Sequence, residues 1–122
     1  NSQISDVQQP GVRIIRSAAE WEQAWADLTG RVSPAPERPA VNFAAQTVVV
    51  VALGQRPTGG YAVRADSAWT QANVLSLAVT ETAPGPRCMN MAVVTAPVAV
   101  AVLGAVSPQV EVVRRQVQQD CP

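Results

Sequence analysis

The sequence predicts a single α+β domain, mainly antiparallel β: a small β-sandwich or half-barrel with one N-terminal helix packed on the sheet. Three observations carry this reading. The chain has 122 residues, 48% hydrophobic and 15% charged, which is enough for one core and too apolar for disorder. Its apolar runs are short, rich in valine and divided by Pro- and Gly-containing breaks. One stretch alone combines a helical start signal with a helical apolar stripe. The expected organisation is one domain over 1–122, with a flexible N-terminal tail at 1–11, the helix at about 18–29 and a β-rich body over 41–118.

Val12 to Arg16 is a short strand candidate. Ser17-Ala18-Ala19-Glu20 fits a capping box, in which the Ser17 hydroxyl accepts from the Glu20 amide and the Glu20 carboxylate reaches back to the Ser17 amide. The helix that follows has Gly30 near its end. Trp21, Trp25 and Leu28 fall at i, i+4 and i+7, one stripe on one face. A Trp pair can stack on a sugar or base, but an amphipathic helix must bury its stripe, so packing on the sheet is the preferred reading. Ser33 to Pro39 contains three prolines and reads as a stiff extended loop crossing the surface; Phe43 then seals the start of the sheet.

Thr47 to Leu53 is apolar without alternation, which predicts a central strand covered on both faces, one of them by the Trp21/Trp25 helix. Gly54 to Tyr61 reads as a turn joining antiparallel strands, with Pro57 fixing φ and Gly59 or Gly60 taking the left-handed conformation. The return strand starts at Tyr61 to Ala65. A further turn is expected from Trp69 to Asn73, and a strand from Val74 to Glu81. Ala83 to Pro86 is a second rigid break. Met91 to Thr95, Val98 to Leu103 and Val110 to Val117 are the remaining strand candidates. The last carries Arg114 and Arg115 on opposite faces, so either one arginine meets a carboxylate or the strand lies at an edge.

Composition excludes much chemistry. The nine basic and nine acidic residues leave no net charge, which removes the electrostatic case for nucleic acid or an anionic membrane surface. With no histidine and no lysine, a Ser-His-Asp triad, a Cys-His dyad, a His-ligated metal site, a Schiff-base lysine and a Walker-type phosphate loop are impossible within the chain. No cofactor or metal is expected. The uncharged run from Cys88 to Val110 is broken by Pro97 and Pro108 and diluted by polar residues, so two buried strands are preferred to a transmembrane helix. Cys88 and Cys121 stand 33 positions apart without a CxxC motif. In an oxidising compartment they would most simply pair, stabilising the fold by roughly 3–4 kcal/mol; two unrelated thiols are the alternative. The chain opens on Asn1 without a Met or signal sequence, as a mature or trimmed chain does.

The apolar strand followed by Gly54-Gln55-Arg56-Pro57-Thr58-Gly59-Gly60-Tyr61 resembles the signature of the PrcB C-terminal domain family. Ala83-Pro84-Gly85-Pro86-Arg87-Cys88 is similar to the family's Pro/Gly-containing segment, and Thr95-Ala96-Pro97-Val98-Ala99-Val100 to its Thr-x-Pro run. The segment around Glu20, Trp21 and Trp25 resembles the helix that often precedes the domain. Ala99 departs from the pattern, where an aromatic is expected. The resemblance spans roughly 12–117 and implies an exported, non-catalytic accessory domain of the bacterial cell envelope (periplasm, outer-membrane surface or extracellular), partnered by another envelope protein such as a protease.

Three function classes follow. In the first, the chain is an interaction module whose contact loop is Arg56, Pro57, Thr58, Gly59, Gly60 and Tyr61, because a rigid loop loses little entropy on binding; the bland counterpart is that the glycines and Tyr61 only shape a hairpin. In the second, the same loop is offered to a protease cleft by a proteinase inhibitor, and Pro57 to Tyr61 resembles the Pro-Thr-Thr-Gly loop of chagasin-like inhibitors. In the third, an enzyme uses Glu81, Asp66 and Glu111 as acid and base, although no spacing singles them out and surface ion pairs are the simpler role.

Overall fold

The computed structural model of the protein describes residues 10–30, 34, 36–86, 88 and 95–119. The elements run β1 (Gly11–Ile15), α1 (Ala18–Thr29), β2 (Thr47–Ala52), β3 (Ala62–Gln71), β4 (Val74–Pro84), β5 (Val98–Leu103) and β6 (Gln109–Gln119). They form two three-stranded sheets, ordered β1-β2-β5 and β3-β4-β6. Every pairing is antiparallel except β4 with β6, which is parallel. The expected α+β class is therefore observed, as an open two-sheet sandwich with a helix on one side.

β2 explains the layering. All six of its residues are buried, and successive side chains alternate between faces. Val49, Val51 and the adjoining Leu53 pack with Val63, Leu75, Leu77 and Val79 of the second sheet. Val48, Val50 and Ala52 pack with Ile15 and with Trp21, Ala24 and Leu28 of α1. A strand covered twice has no use for polar alternation, and none is present.

The helix begins as its sequence suggests. Ser17 is extended (φ −143°, ψ 158°) and its Oγ accepts the Glu20 amide at 3.2 Å. The Glu20 carboxylate takes the Ser17 hydroxyl at 3.1 Å and the Arg16 amide at 3.4 Å, rather than the Ser17 amide. The Trp21 and Trp25 rings lie 5.4 Å apart and tilted by 57°. Their indole N–H groups donate to the carbonyls of Pro39 and Pro36, each at 3.0 Å. Pro36 and Pro39 are thus tied to the helix, which satisfies both indoles.

Two expected connections are corrected. Gly54 to Tyr61 does not close a hairpin. Both edges of β2 are already occupied, by β1 and β5, so the chain must cross to the other sheet before β3 can pair. Trp69, Thr70 and Gln71 are not in a turn but extend β3, opposite Ser76, Leu75 and Val74. The turn is confined to Ala72 and Asn73, both at positive φ (51° and 65°), the geometry of a two-residue hairpin. Of the tail expected at 1–11, Gly11 already opens β1 and Pro10 packs on Gly54; the rest lies outside the described residues. So does the Met91 to Thr95 strand, apart from Thr95.

Candidate functional site

The crossover from β2 to β3 is held in place residue by residue. Gly54 has φ +79°, and a Cβ there would lie 2.8 Å from Cδ and 2.9 Å from N of Pro10. Only glycine meets both demands. Leu53 N donates to Pro97 O at 3.0 Å. Arg56 and Thr95 form an isolated antiparallel bridge, Arg56 N to Thr95 O at 2.7 Å and Thr95 N to Arg56 O at 2.9 Å. Thr95 Oγ1 also donates to Thr58 O at 3.0 Å. Gly60 takes the positive φ, at 91°.

The clamp itself is rigid because Thr95, Ala96, Pro97 and Val98 are all buried. Two of the sequence segments that carried the resemblance are therefore one physical unit: the Thr95–Pro97 run is the anchor of the Gly54–Tyr61 loop. Within that loop Gln55, Pro57 and Gly60 are exposed, while Arg56, Thr58, Gly59 and Tyr61 are half-buried. Arg56 does not project outward. Its guanidinium lies over the Tyr61 ring, 5.3 Å from the centroid, and its Nε is buried without a hydrogen-bond partner. Besides Gln55, the part of the loop offered to solvent is the Pro57–Gly60 tip, through Pro57 and Gly60.

Behind Arg56 lies a cleft of about 200 Å³, lined also by Leu53, Tyr61, Glu81, Thr82, Gln116 and Val117. Glu81 arrives there by strand periodicity. Leu75, Leu77 and Val79 point into the sandwich, and Glu81 is the next residue of β4 on the same face. Its side chain is only 11% exposed, and its Oε2 is buried without a hydrogen bond. Arg114 Nη1 stands 3.7 Å from that oxygen, beyond hydrogen-bond range. Sequence reading named Glu81 only as one carboxylate among three. The signal that marks it is an acid continuing a buried apolar register.

The three carboxylates are not brought together. Asp66 sits at the β-bulge between Ala65 and Ser67 and accepts from Thr80 Oγ1 at 2.5 Å and Arg64 Nε at 2.8 Å. The Thr80 bond, then that of Arg64, holds its carboxyl below the ordinary range against an opposing effect of desolvation, with the charges of Arg64 and Arg115 adding to the lowering. Thr80 alternates with Val79 and Glu81 along β4, so Asp66 lies on the outer face of the sheet. Glu111 pairs with Ser76, also on the outer face. Arg114 and Arg115 divide as expected, the first toward Glu81 and the second toward the Thr80/Asp66 side.

Cys88 N donates to Gly85 O at 3.1 Å, and Cys88 Sγ lies 3.4 Å from Gln119 O at the end of β6. Cys121 lies outside the described residues. Among those residues no helix is long and apolar enough to cross a membrane, and no group of three or more His, Cys, Asp or Glu side chains could hold a metal ion.

No curated protein and no solved structure matches the chain. A family match does exist, and it takes in the loop, its Thr95–Pro97 clamp and Glu81 together: residues 47–103, from the first residue of β2 to the last of β5, match the PrcB C-terminal family model.

Proposed function

We propose that this chain is a non-catalytic accessory domain that docks onto a protein of an exported protease complex through the Pro57–Gly60 tip and the residues beside it. The observation that carries the reading is the bolted crossover. Two backbone hydrogen bonds and one side-chain bond tie a solvent-facing loop to a buried segment. Such a loop is already ordered before it meets a partner, so association forfeits little conformational entropy. The family match adds protease-complex association as the context. Export is part of this proposal, carried over from the same resemblance, and a Cys88–Cys121 disulfide would accord with it, since Cys88 adjoins Gln119, two residues before Cys121.

The inward turn of Arg56 speaks against an inhibitor that inserts this arginine into a protease cleft. The test is affinity capture from a cell-envelope extract of the source organism, with wild-type bait beside Pro57→Ala and Tyr61→Ala baits of verified fold. Retention of a protease or its bound subunit by wild type, reduced at least tenfold by the variants, is the expected result. Equal retention by all three baits, or no protease-linked protein at all, would refute it.

A further inference from the structure

The cleft beside the loop contains two unmet hydrogen-bonding demands of opposite kind. Among its lining residues, the Arg56 Nε–H is a buried donor without a hydrogen-bond acceptor, and Glu81 Oε2 is a buried acceptor without a hydrogen-bond donor. Folding has stripped both of water, and a buried polar atom left so carries the whole cost of its desolvation. The rest of the lining is mixed. Leu53, Ala83, Val117 and the Tyr61 ring supply apolar wall, and Thr82 and Gln116 line it beside them.

Ligand chemistry follows from what answers both demands at once. A carboxylate satisfies Arg56 but meets the charge of Glu81. A guanidinium or ammonium satisfies Glu81 but meets Arg56, with Arg114 only 3.7 Å from the same oxygen. A carboxamide presents a C=O acceptor and an N–H donor in one neutral plane. Its flanking carbons suit the apolar wall, and about 200 Å³ suits a single side chain or peptide unit.

We propose that this cleft is a carboxamide-binding site that receives an amide of the docked protein, resting on the interaction-module reading above. The amide comes from an Asn or Gln side chain or from the main chain. The site would give the contact specificity as well as rigidity, because a partner lacking the amide leaves two buried groups unpaired.

The test is a ¹H–¹⁵N NMR titration of the full chain. The amide probes are N-acetyl-glutaminamide, which has side-chain and main-chain amides, and N-acetyl-alaninamide, which has main-chain amides only. Acetate and methylguanidinium are the charged controls. Saturable shifts are expected at the Arg56 Nε–H and at the Thr82 and Gln116 amides with at least one amide probe, the charged probes binding at least tenfold more weakly. Tighter binding of the glutamine probe assigns a side-chain amide, and equal binding assigns the main chain. Glu81→Gln and Arg56→Gln should each weaken binding at least tenfold; two variants guard against one failing to fold. Absence of saturation with both amide probes, or acetate or methylguanidinium binding as tightly, overturns the proposal. Amide binding without any captured protease-linked protein sinks the docking reading alone. Capture by wild type without amide binding sinks the cleft alone.

Discussion

Replacing Glu81 by leucine should make the protein more stable while emptying the cleft of its chemistry. The wild-type carboxylate is 11% exposed, with one oxygen buried and unbonded. Relieving such an acceptor is worth about 1–3 kcal/mol. Leucine extends the Leu75, Leu77, Val79 face into an existing cleft of about 200 Å³, so it adds apolar burial without crowding. Against this stands the lost attraction to Arg114, which is 41% exposed at 3.7 Å and therefore contributes at most about 1 kcal/mol. Freed of Glu81, Arg114 can turn to water. The net expectation is a gain of about 1–3 kcal/mol, or roughly 4 °C in melting temperature per kcal/mol for a domain of this size. Thermal melts and urea titrations of wild type and Glu81→Leu, with an unchanged urea m-value, measure it. A variant that melts below wild type would refute the reasoning, because it would show the acid to be well satisfied in the folded state. A rise would identify Glu81 as a residue held against stability, the pattern expected of a functional site.

Other outcomes follow from single contacts. Gly54→Ala combines a positive-φ cost of about 1–2 kcal/mol with the Pro10 contacts at 2.8 and 2.9 Å, for a loss of about 2–4 kcal/mol by urea denaturation. Gly104→Ala, with nothing within 4 Å, is its control and should stay within about 0.5 kcal/mol. Thr95→Val removes the Oγ1–Thr58 O bond and should cost about 1–2 kcal/mol; faster hydrogen exchange at the Arg56 amide would show that the loop has loosened, and unchanged exchange that the clamp lies elsewhere. Because the Asp66 carboxyl is lowered, its stabilisation is complete above the unfolded value of about 3.9 and lost as pH falls through the folded one. Asp66→Asn should therefore melt below wild type at pH 7, and the gap should shrink below about pH 4; a gap independent of pH would disprove the linkage. Masses of the full chain alkylated with and without reductant decide the Cys88–Cys121 pairing, an unreduced sample that takes up two labels counting against it.

The legible parts of the fold are those where local chemistry acts alone. Ser17 and Glu20 set the helix start, Trp21 and Leu28 of the expected stripe are buried while Trp25 is half-buried and Ala24 joins the buried face, and the unalternating valines of β2 announce a doubly covered strand. The Gly54–Tyr61 connection was misread because a glycine-tipped bend between apolar strands looks the same whether it closes a hairpin or crosses between sheets. What decides is whether the first strand has a free edge, and β5, nearly fifty residues downstream of β2, takes it. The β3 end was misread for the converse reason. Trp69, Thr70 and Gln71 are exposed, so the polar Thr70 and Gln71 mimic a loop, although all three pair with β4.

The candidate site was half visible, and the missing half is a matter of register. A loop motif is contiguous and can be read directly, but the cleft behind it joins Leu53 just after β2, the crossover, β4 and β6. Along β4 the inner face changes from Leu75, Leu77 and Val79 to Glu81. Along β6, paired in parallel with it, the inner face changes at nearly the same level from Val110 and Val112 to Arg114 and Gln116. Parallel pairing is what aligns these two changes, since both strands then leave the core in one direction. The Arg56–Thr95 bridge stands at that same end, at the cleft that Arg56 shares with Glu81 and Gln116. The sandwich is therefore apolar through its middle and polar at one mouth, and the loop forms part of that mouth. Loop and cleft share Arg56, whose backbone holds the clamp and whose side chain lines the acid's cleft, so a partner that grips the Pro57–Gly60 tip is brought directly to Glu81, whose Oε2 has no hydrogen bond.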